Sequence, residues 1–245
     1  MSGHSKWHNI AAKKGKTDAA RGAIFTKLGR ELAVAAKGNP NPATNSKLAD
    51  VIAKAKANNM PNDNIERSIK RAAGEMGDKD YKELTYEGYG VGGAAVIITT
   101  LTDNINRTAG DVRAIMSKHG GSLGTTGSVS YMFDNKGIIV IERTPTLDED
   151  TVTEYALDAG ADDVIVSEDA YEIYMAPADF SSVRTYLEGK GLSFLQAEIT
   201  MIPQNKITLS GEKLEQFLKM LDKLDENDDV QTVYHNVELP DEDEE

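Results

Sequence analysis

The N-terminal segment carries side chains of the type and spacing that bind a phosphate backbone. Its cations are spread along a stretch padded with glycine and alanine, and they are Lys6, Lys13, Lys14, Lys16 and Arg21. A cationic chain of this kind can follow a line of phosphates and release the counterions condensed on them. Trp7, the only tryptophan, fits equally well a ring that stacks on an unpaired base and a hydrophobic anchor for the segment. We therefore predict that this segment contacts nucleic acid.

More cations lie on the helical segments that follow, on the side away from the apolar residues. They are Lys27, Arg30, Arg67, Lys70 and Arg71. The last three can share one helix face, because residues three and four apart are neighbours on a helix. We predict that these cations extend the phosphate-binding surface. A helix-turn-helix at residues 46–73 is only weakly indicated, because neither helix is rich in the Asn, Gln and Arg that read base edges.

A glycine-rich segment and the strand-to-helix junction after it supply a candidate second contact. Gly88 to Gly93 matches the dinucleotide-binding pattern G-x-G-x-x-G, but that site requires a strand before the glycines, and here they precede the predicted strand. We interpret the segment as a loop that exposes the rings of Tyr86 and Tyr89. Asn104 suits the cap of the next helix, whereas Arg107 has no evident local partner. We predict a second nucleic-acid contact formed by Tyr86, Tyr89, Asn104 and Arg107.

The charge of the chain is divided sharply between its two parts. The net charge is −13, yet residues 1–71 sum to +9 and residues 72–245 to −22. A basic segment on an acidic body indicates a protein that meets a polyanion through one end. The sequence therefore predicts nucleic acid as the partner, with the acidic remainder keeping the protein soluble.

Several classes of protein are disfavoured by what the sequence lacks. Cysteine is absent, which excludes disulfides and thiolate metal sites and suits the cytoplasm. His4 and His8 are four residues apart, but no acid lies near them, so we predict no metal. There is no P-loop, nucleophile elbow or recognisable His-based triad, and no apolar run long enough to span a membrane. We expect a cytoplasmic, non-enzymatic protein without cofactor or membrane contact.

The periodicity of apolar residues predicts an α+β fold with an N-terminal three-helix domain and two α/β sandwich domains. Ala94 to Leu101 and Val129 to Phe133 are predicted as strands, and the segment from residue 138 to 202 has the βαββαβ order of a ferredoxin-like unit. We expect that unit to be inserted into the other α/β domain. The predicted domains are a flexible basic arm at 1–16, a helical bundle at 17–75, an α/β domain at 76–135 plus 204–238, the inserted domain at 136–203 and an acidic tail at 239–245.

Several separate motifs occur in the same order as in the YebC/PmpR family, and the chain resembles that family. They are Gly3-His4-Ser5-Lys6-Trp7, Ile24-Phe25-Thr26-Lys27-Leu28, Asn59-Met60-Pro61, Asn64-Ile65-Glu66-Arg67, Tyr86-Glu87-Gly88-Tyr89-Gly90, Leu101-Thr102-Asp103-Asn104, Asn106-Arg107-Thr108 and Gly127-Ser128-Val129. The resemblance implies a three-domain cytoplasmic bacterial protein and a DNA-binding transcriptional regulator. Mitochondrial and bacterial relatives of the family resemble translation factors that act on the ribosome. Val91 stands where the family's loop usually has proline.

Three functions remain open from the sequence. The first is a DNA-binding transcriptional regulator, which the resemblance favours. The second is a ribosome-associated translation factor that binds ribosomal RNA or tRNA and assists synthesis of proline-rich stretches. The residues slightly favour structured RNA, because no base-reading helix is evident and the acidic body would be repelled by a long duplex. The third is a protein-interaction adaptor whose acidic domains bind a basic partner.

Overall fold

The computed structural model describes residues 18–71 and 81–239, with side chains from Gly22 onward. In chain order, the first segment contains α1 (Asp18–Ala36), α2 (Ser46–Ala57) and α3 (Asn62–Lys70). The side chain of Asn45 caps α2 by accepting from the backbone N–H of Leu48. Leu28, Leu32 and Ile65 are buried where the three helices meet. We call residues 22–71 the helical unit.

The second segment alternates strands and helices. Its elements are β1 (Lys82–Tyr89), β2 (Ala95–Thr102), α4 (Ile105–Lys118), β3 (Ser122–Leu123), β4 (Phe133–Glu142), α5 (Glu149–Ala159), β5 (Asp163–Val166), β6 (Ala170–Met175), α6 (Phe180–Gly189), β7 (Gln196–Pro203), β8 (Ile207–Thr208), α7 (Gly211–Asp225), β9 (Val230–His235) and β10 (Val237–Glu238). Short 3-10 turns lie at Val91–Gly93 and Ser130–Met132.

Two four-stranded sheets organise the second segment. The first sheet has the order β3-β1-β2-β9, and the second has the order β5-β6-β4-β7. Neighbouring strands of both sheets are antiparallel. Because β9 returns from the C-terminal part of the chain to pair with β2, the segment that forms the second sheet is inserted into the first. The predicted α+β fold, with one α/β unit inside another, is confirmed.

Each sheet buries one face beneath its own pair of helices. Alternating residues of β2, including Val96 and Ile98, pack under α4 and α7. In the second sheet, Ile139 and Ile173 pack under α5 and α6. The order of this second sheet is that of the predicted ferredoxin-like βαββαβ unit. The opposite face of the first sheet contacts Phe133 at the start of β4 and Met201 of β7.

Two predictions of local structure are wrong. Val129 to Phe133 is a 3-10 turn followed by the first residue of β4, because the backbone N–H groups of Val129 and Ser130 donate to the side chain of Glu87. Tyr86 and Tyr89 lie on β1, which pairs with β2 over its whole length, instead of on a loop. Gly88 permits β1 to pair with β3 on its other side, because the backbone carbonyl of Ser122 on β3 leaves no room for a Cβ at this position.

Candidate nucleic-acid interface

Two of the predicted phosphate-binding cations of α1, Lys27 and Arg30, are directed inward. Lys27 is only 8% exposed, and its Nζ contacts both the carbonyl oxygen and Oδ1 of Asp225 at 2.8 Å. Arg30 donates from Nη1 to Oδ1 of Asp229 at 2.7 Å and to the carbonyl of Leu101 at 3.1 Å. These contacts attach α1 to the first sheet and to the end of α7. Lys27 and Arg30 therefore do not belong to the candidate interface.

Arg107 also has a structural partner, so the expectation that it lacks one is wrong. Its Nη2 contacts Oδ2 of Asp229 at 2.7 Å and Oδ1 of Asp103 at 2.9 Å. Asn104 caps α4 by accepting from the backbone N–H of Arg107 at 3.1 Å. Burial alone would raise the pKa of Asp229, but hydrogen bonds from Arg107, Thr108 and Arg30 outweigh it and lower that pKa. This junction of α4 and β9 is thus an internal ion-pair cluster.

The cations at the C-terminal end of α3 remain on the surface. Ile65 and Ile69 pack into the core of the helical unit. Arg67, Lys70 and Arg71 lie away from that core and are exposed. Lys70 lies 4.0 Å from Glu66, and both side chains are about two-thirds exposed. In the described segments, neither arginine forms an ion pair. We call these three cations the α3 patch, and it is the part of the predicted surface that the structure brings together.

The two predicted tyrosines of β1 have different surroundings. Tyr86 packs against the core beneath α4 and α7, and its buried hydroxyl makes no hydrogen bond with the described residues. Burial raises the pKa of that hydroxyl. Tyr89, on the opposite face of the strand, is 37% exposed. Tyr131 is not among the predicted site residues; it is 68% exposed and lies three residues after Ser128, whose carbonyl accepts from the hydroxyl of Tyr89. The feature of the sequence that could have indicated Tyr131 is an aromatic residue within residues 120–133, a run that has no charged side chain.

A polar cleft of about 200 Å³ separates the helical unit from the open face of the first sheet. Its wall includes an ion pair between Lys54 and Glu31, whose Nζ and Oε2 atoms are 2.9 Å apart. Burial alone would lower the pKa of Lys54, but the charges of Glu31 and Glu198 and the hydrogen bond to Glu31 together outweigh it and raise that pKa. Lys47 lies exposed on the same wall. The lining does not include the α3 patch, so these are two separate surfaces.

Other predicted site residues lie outside the described part of the chain. The side chains of Lys6, Trp7, Lys13, Lys14, Lys16 and Arg21 belong to this group. Within residues 18–71 and 81–239, no group of three or more His, Asp or Glu side chains is placed to hold a metal ion. In the same ranges, no helix combines the length and apolar character needed to cross a membrane.

Comparisons with known proteins cover nearly the whole chain. The family described as the TACO1/YebC protein N-terminal domain matches residues 5–75, and the TACO1/YebC second and third domain matches residues 81–237. A "Probable transcriptional regulatory protein" of Clostridium tetani is 58% identical over 99% of both chains. Another protein so named, from Thermoanaerobacter pseudethanolicus, is 53% identical over 100% of both. The crystal structure of a conserved hypothetical protein from Aquifex aeolicus matches with a TM-score of 0.80 at 42% identity, covering 94% of this chain and 95% of that one.

Proposed function

Because the chain belongs to the TACO1/YebC family, we propose that it is a non-enzymatic regulator of gene expression that binds nucleic acid through its basic N-terminal third. Its relatives are named probable transcriptional regulatory proteins, and these names support a regulator over an enzyme. The resemblance to this family that the sequence motifs indicate is confirmed.

The observation that carries the proposal is how the cations of the helical unit are divided. The cations of this unit that are buried or half-buried are paired with carboxylates, as Lys27, Arg30 and Lys54 are. The remaining cations of the unit are exposed, and they are Lys37, Lys47, Lys56, Arg67, Lys70 and Arg71. Two of the unit's carboxylates, Glu31 and Asp50, are already engaged in ion pairs. The outer surface therefore retains a positive excess that attracts phosphate.

The arrangement of the α3 patch favours backbone contact over base reading. Arg67, Lys70 and Arg71 lie at the C-terminal end of a nine-residue helix. A helix-turn-helix protein reads bases with the N-terminal residues of its recognition helix, and here that end carries Asp63. We infer that the patch binds phosphates without selecting a sequence by itself.

The names of the relatives favour DNA as the target, and we take a DNA-binding transcriptional regulator as the first candidate. The second candidate is a translation factor that binds ribosomal RNA. One observation favours it, namely that the part of the chain outside the basic third carries a net charge of −22. Such a surface is repelled by a long duplex but is compatible with a short phosphate-rich contact on a folded RNA.

The test measures binding of the whole protein to a labelled promoter duplex and to ribosomal particles at several salt concentrations. The variant replaces the α3 patch, as Arg67→Gln, Lys70→Gln and Arg71→Gln. Its affinity should fall, and the slope of log affinity against log salt should flatten by about 0.9 for each duplex phosphate that the variant no longer neutralises. The matched control removes the same charge from the acidic body through Lys206→Gln, Lys219→Gln and Lys223→Gln, cations that are exposed there.

Three results would separate the candidates. Selective, tight binding to the duplex without ribosomal association supports the transcriptional regulator, and the reverse supports the translation factor. Association that survives nuclease treatment points instead to a protein adaptor. Equal losses of affinity in the variant and the control would contradict the α3 patch. In the same assay, an unchanged salt slope after Lys13→Ala, Lys14→Ala and Lys16→Ala would contradict a role for the N-terminal arm.

A further inference from the structure

We propose that Tyr89 and Tyr131 form a platform on which an unpaired nucleobase stacks. This inference deepens the proposed function, because it names the part of the nucleic acid that the first α/β unit would contact. The phosphates are held elsewhere, by the basic third of the chain. The platform would add recognition of bases that are not in a duplex.

Both rings are exposed, and Tyr89 contacts the segment that carries Tyr131. Tyr131 belongs to the 3-10 turn at Ser130–Met132 and is 68% exposed, the largest fraction among the exposed large hydrophobic side chains of the described residues. Tyr89 is 37% exposed and donates from its hydroxyl to the carbonyl of Ser128 at 3.1 Å. Interaction with the nearby hydroxyl of Tyr131 raises the pKa of Tyr89. The hydroxyl of Tyr89 is therefore tied to the segment that leads into the turn carrying Tyr131.

A buried carboxylate holds the turn that carries Tyr131. The side chain of Glu87 accepts backbone N–H groups from Gly127 at 2.8 Å, Val129 at 2.9 Å and Ser130 at 2.8 Å. Glu87 is only 5% exposed, and its charge is satisfied by these donors. Burial alone would raise the pKa of the carboxylate, but the same three groups outweigh it and hold that pKa below its usual value. A turn anchored in this way presents a ring that loses little freedom on binding.

The backbone on either side reinforces this support. Val129 and Phe133 are buried against Ala95 and Ile97 of β2, so the turn is fixed at both ends. The backbone N–H of Gly124 donates to the carbonyl of Glu87 at 2.8 Å, which joins the start of the turn to β1. Structural support of this strength beneath a mostly exposed ring indicates that the ring is presented for contact.

The chain segments that carry the platform contain no charged residues. Residues 88–102 and residues 120–133 contain no Asp, Glu, Lys or Arg, in a protein in which 27% of residues are charged. These two runs meet at Tyr89 and Tyr131. Elsewhere the body is acidic and repels phosphates, so a nucleic acid bound by the basic third can approach the body most easily here. Ring faces without competing charge suit base stacking, which tolerates any base.

The test compares two single-stranded 20-mers, an oligodeoxyadenylate and an abasic oligomer of the same length. Both offer the same phosphates, but only the first offers bases. The wild-type protein should bind the oligodeoxyadenylate more tightly, and Tyr131→Ala should lower that affinity by about 5- to 150-fold while affinity for the abasic oligomer is unchanged. Tyr131→Phe should keep the preference, because it keeps the ring. Leu157→Ala is the control, since Leu157 is a 57% exposed apolar side chain on the inserted unit.

The outcomes distinguish the platform from the function on which it rests. If wild-type protein binds both oligomers equally, or if Tyr131→Ala keeps the preference for bases, the platform is wrong while phosphate binding stands. If neither oligomer, nor any duplex, nor ribosomal particles bind the protein, the proposed function fails and the platform fails with it. Folding is checked by the urea midpoint, which Tyr131→Ala should leave unchanged because the ring is mostly exposed.

Discussion

Arg30 and Asp229 form an ion pair across 199 residues of sequence, with Nη1 and Oδ1 separated by 2.7 Å. The two side chains are only 15% and 5% exposed. Asp229 also accepts from Arg107 of α4, so one carboxylate joins the helical unit to the first sheet. Arg30, which the sequence predicts as a phosphate-binding residue, therefore forms a contact inside the protein instead.

We predict that Asp229→Asn destabilises the protein by about 2–3 kcal/mol, because it leaves Arg30 and Arg107 without their shared carboxylate. Urea unfolding measures this change. Asp228→Asn is the neighbouring control, since the Asp228 side chain is exposed and should change stability by less than about 0.5 kcal/mol. Equal effects at the two positions would show that the buried ion pair contributes nothing specific.

The stability contributed by Glu87 should depend on pH. Its pKa is lowered in the folded state, despite burial, by backbone donors from Gly127, Val129 and Ser130. A lowered folded pKa means that the stabilisation is present above the unfolded pKa of about 4.3 and is lost as pH falls through the folded pKa. We predict that Glu87→Gln costs about 1.5–3 kcal/mol at pH 7 and that the difference from wild type shrinks in acid.

Urea unfolding at a series of pH values tests the role of Glu87. Glu83→Gln is the control, because Glu83 lies exposed on the same strand. The control should give no pH-dependent difference of this kind. A Glu87→Gln penalty that stays constant well below a pH of about 4 would contradict the ionised carboxylate as its cause.

Two glycines should respond in opposite directions to alanine. A Cβ at Gly88 would collide with the carbonyl oxygen of Ser122, so Gly88→Ala should destabilise by about 1–3 kcal/mol or more by forcing β1 and β3 apart. Gly110 lies within α4 with nothing within 4 Å of an added Cβ. Gly110→Ala should therefore stabilise by up to about 1 kcal/mol. Thermal unfolding of both variants measures the contrast. Equal shifts of the unfolding temperature would be inconsistent with the close approach of β3 to β1 at Gly88.

The contact between α2 and α6 should require an arginine. The Nε of Arg184 donates to Asp50 at 3.0 Å and its Nη1 to Glu188 at 2.6 Å, with the side chain 8% exposed. A lysine ends in a single nitrogen, which cannot take the places of both Nε and Nη1, so Arg184→Lys should destabilise by about 1.5–3 kcal/mol and speed amide hydrogen exchange in α2. Arg113→Lys is the control, because Arg113 lies on the exposed side of α4, and it should change the free energy of unfolding by less than about 0.5 kcal/mol. Unchanged exchange in α2 would argue against this contact as a docking point.

Local sequence patterns are sufficient to predict most of the elements. The apolar spacing of Leu48, Val51 and Ala55 predicts a helix, and α2 is found there. Alternation in the segment from 138 to 202 predicts the ferredoxin-like order, which the second sheet has. The strand predicted at Val129 is wrong, because the backbone donors there pair with Glu87, which is 42 residues away. Periodicity carries no information about a side chain that arrives from another strand.

The sequence alone established the charge division, the α+β class and the family, because these depend on composition, local periodicity and ordered motifs. The tertiary structure decided what each cation does. Arg67 and Arg30 look alike in sequence, yet one lies on the surface and the other is paired with Asp229. The physical reason is that the role of a charged group depends on whether a distant carboxylate is brought within hydrogen-bonding distance, and only the packing of the helical unit against the sheet determines that.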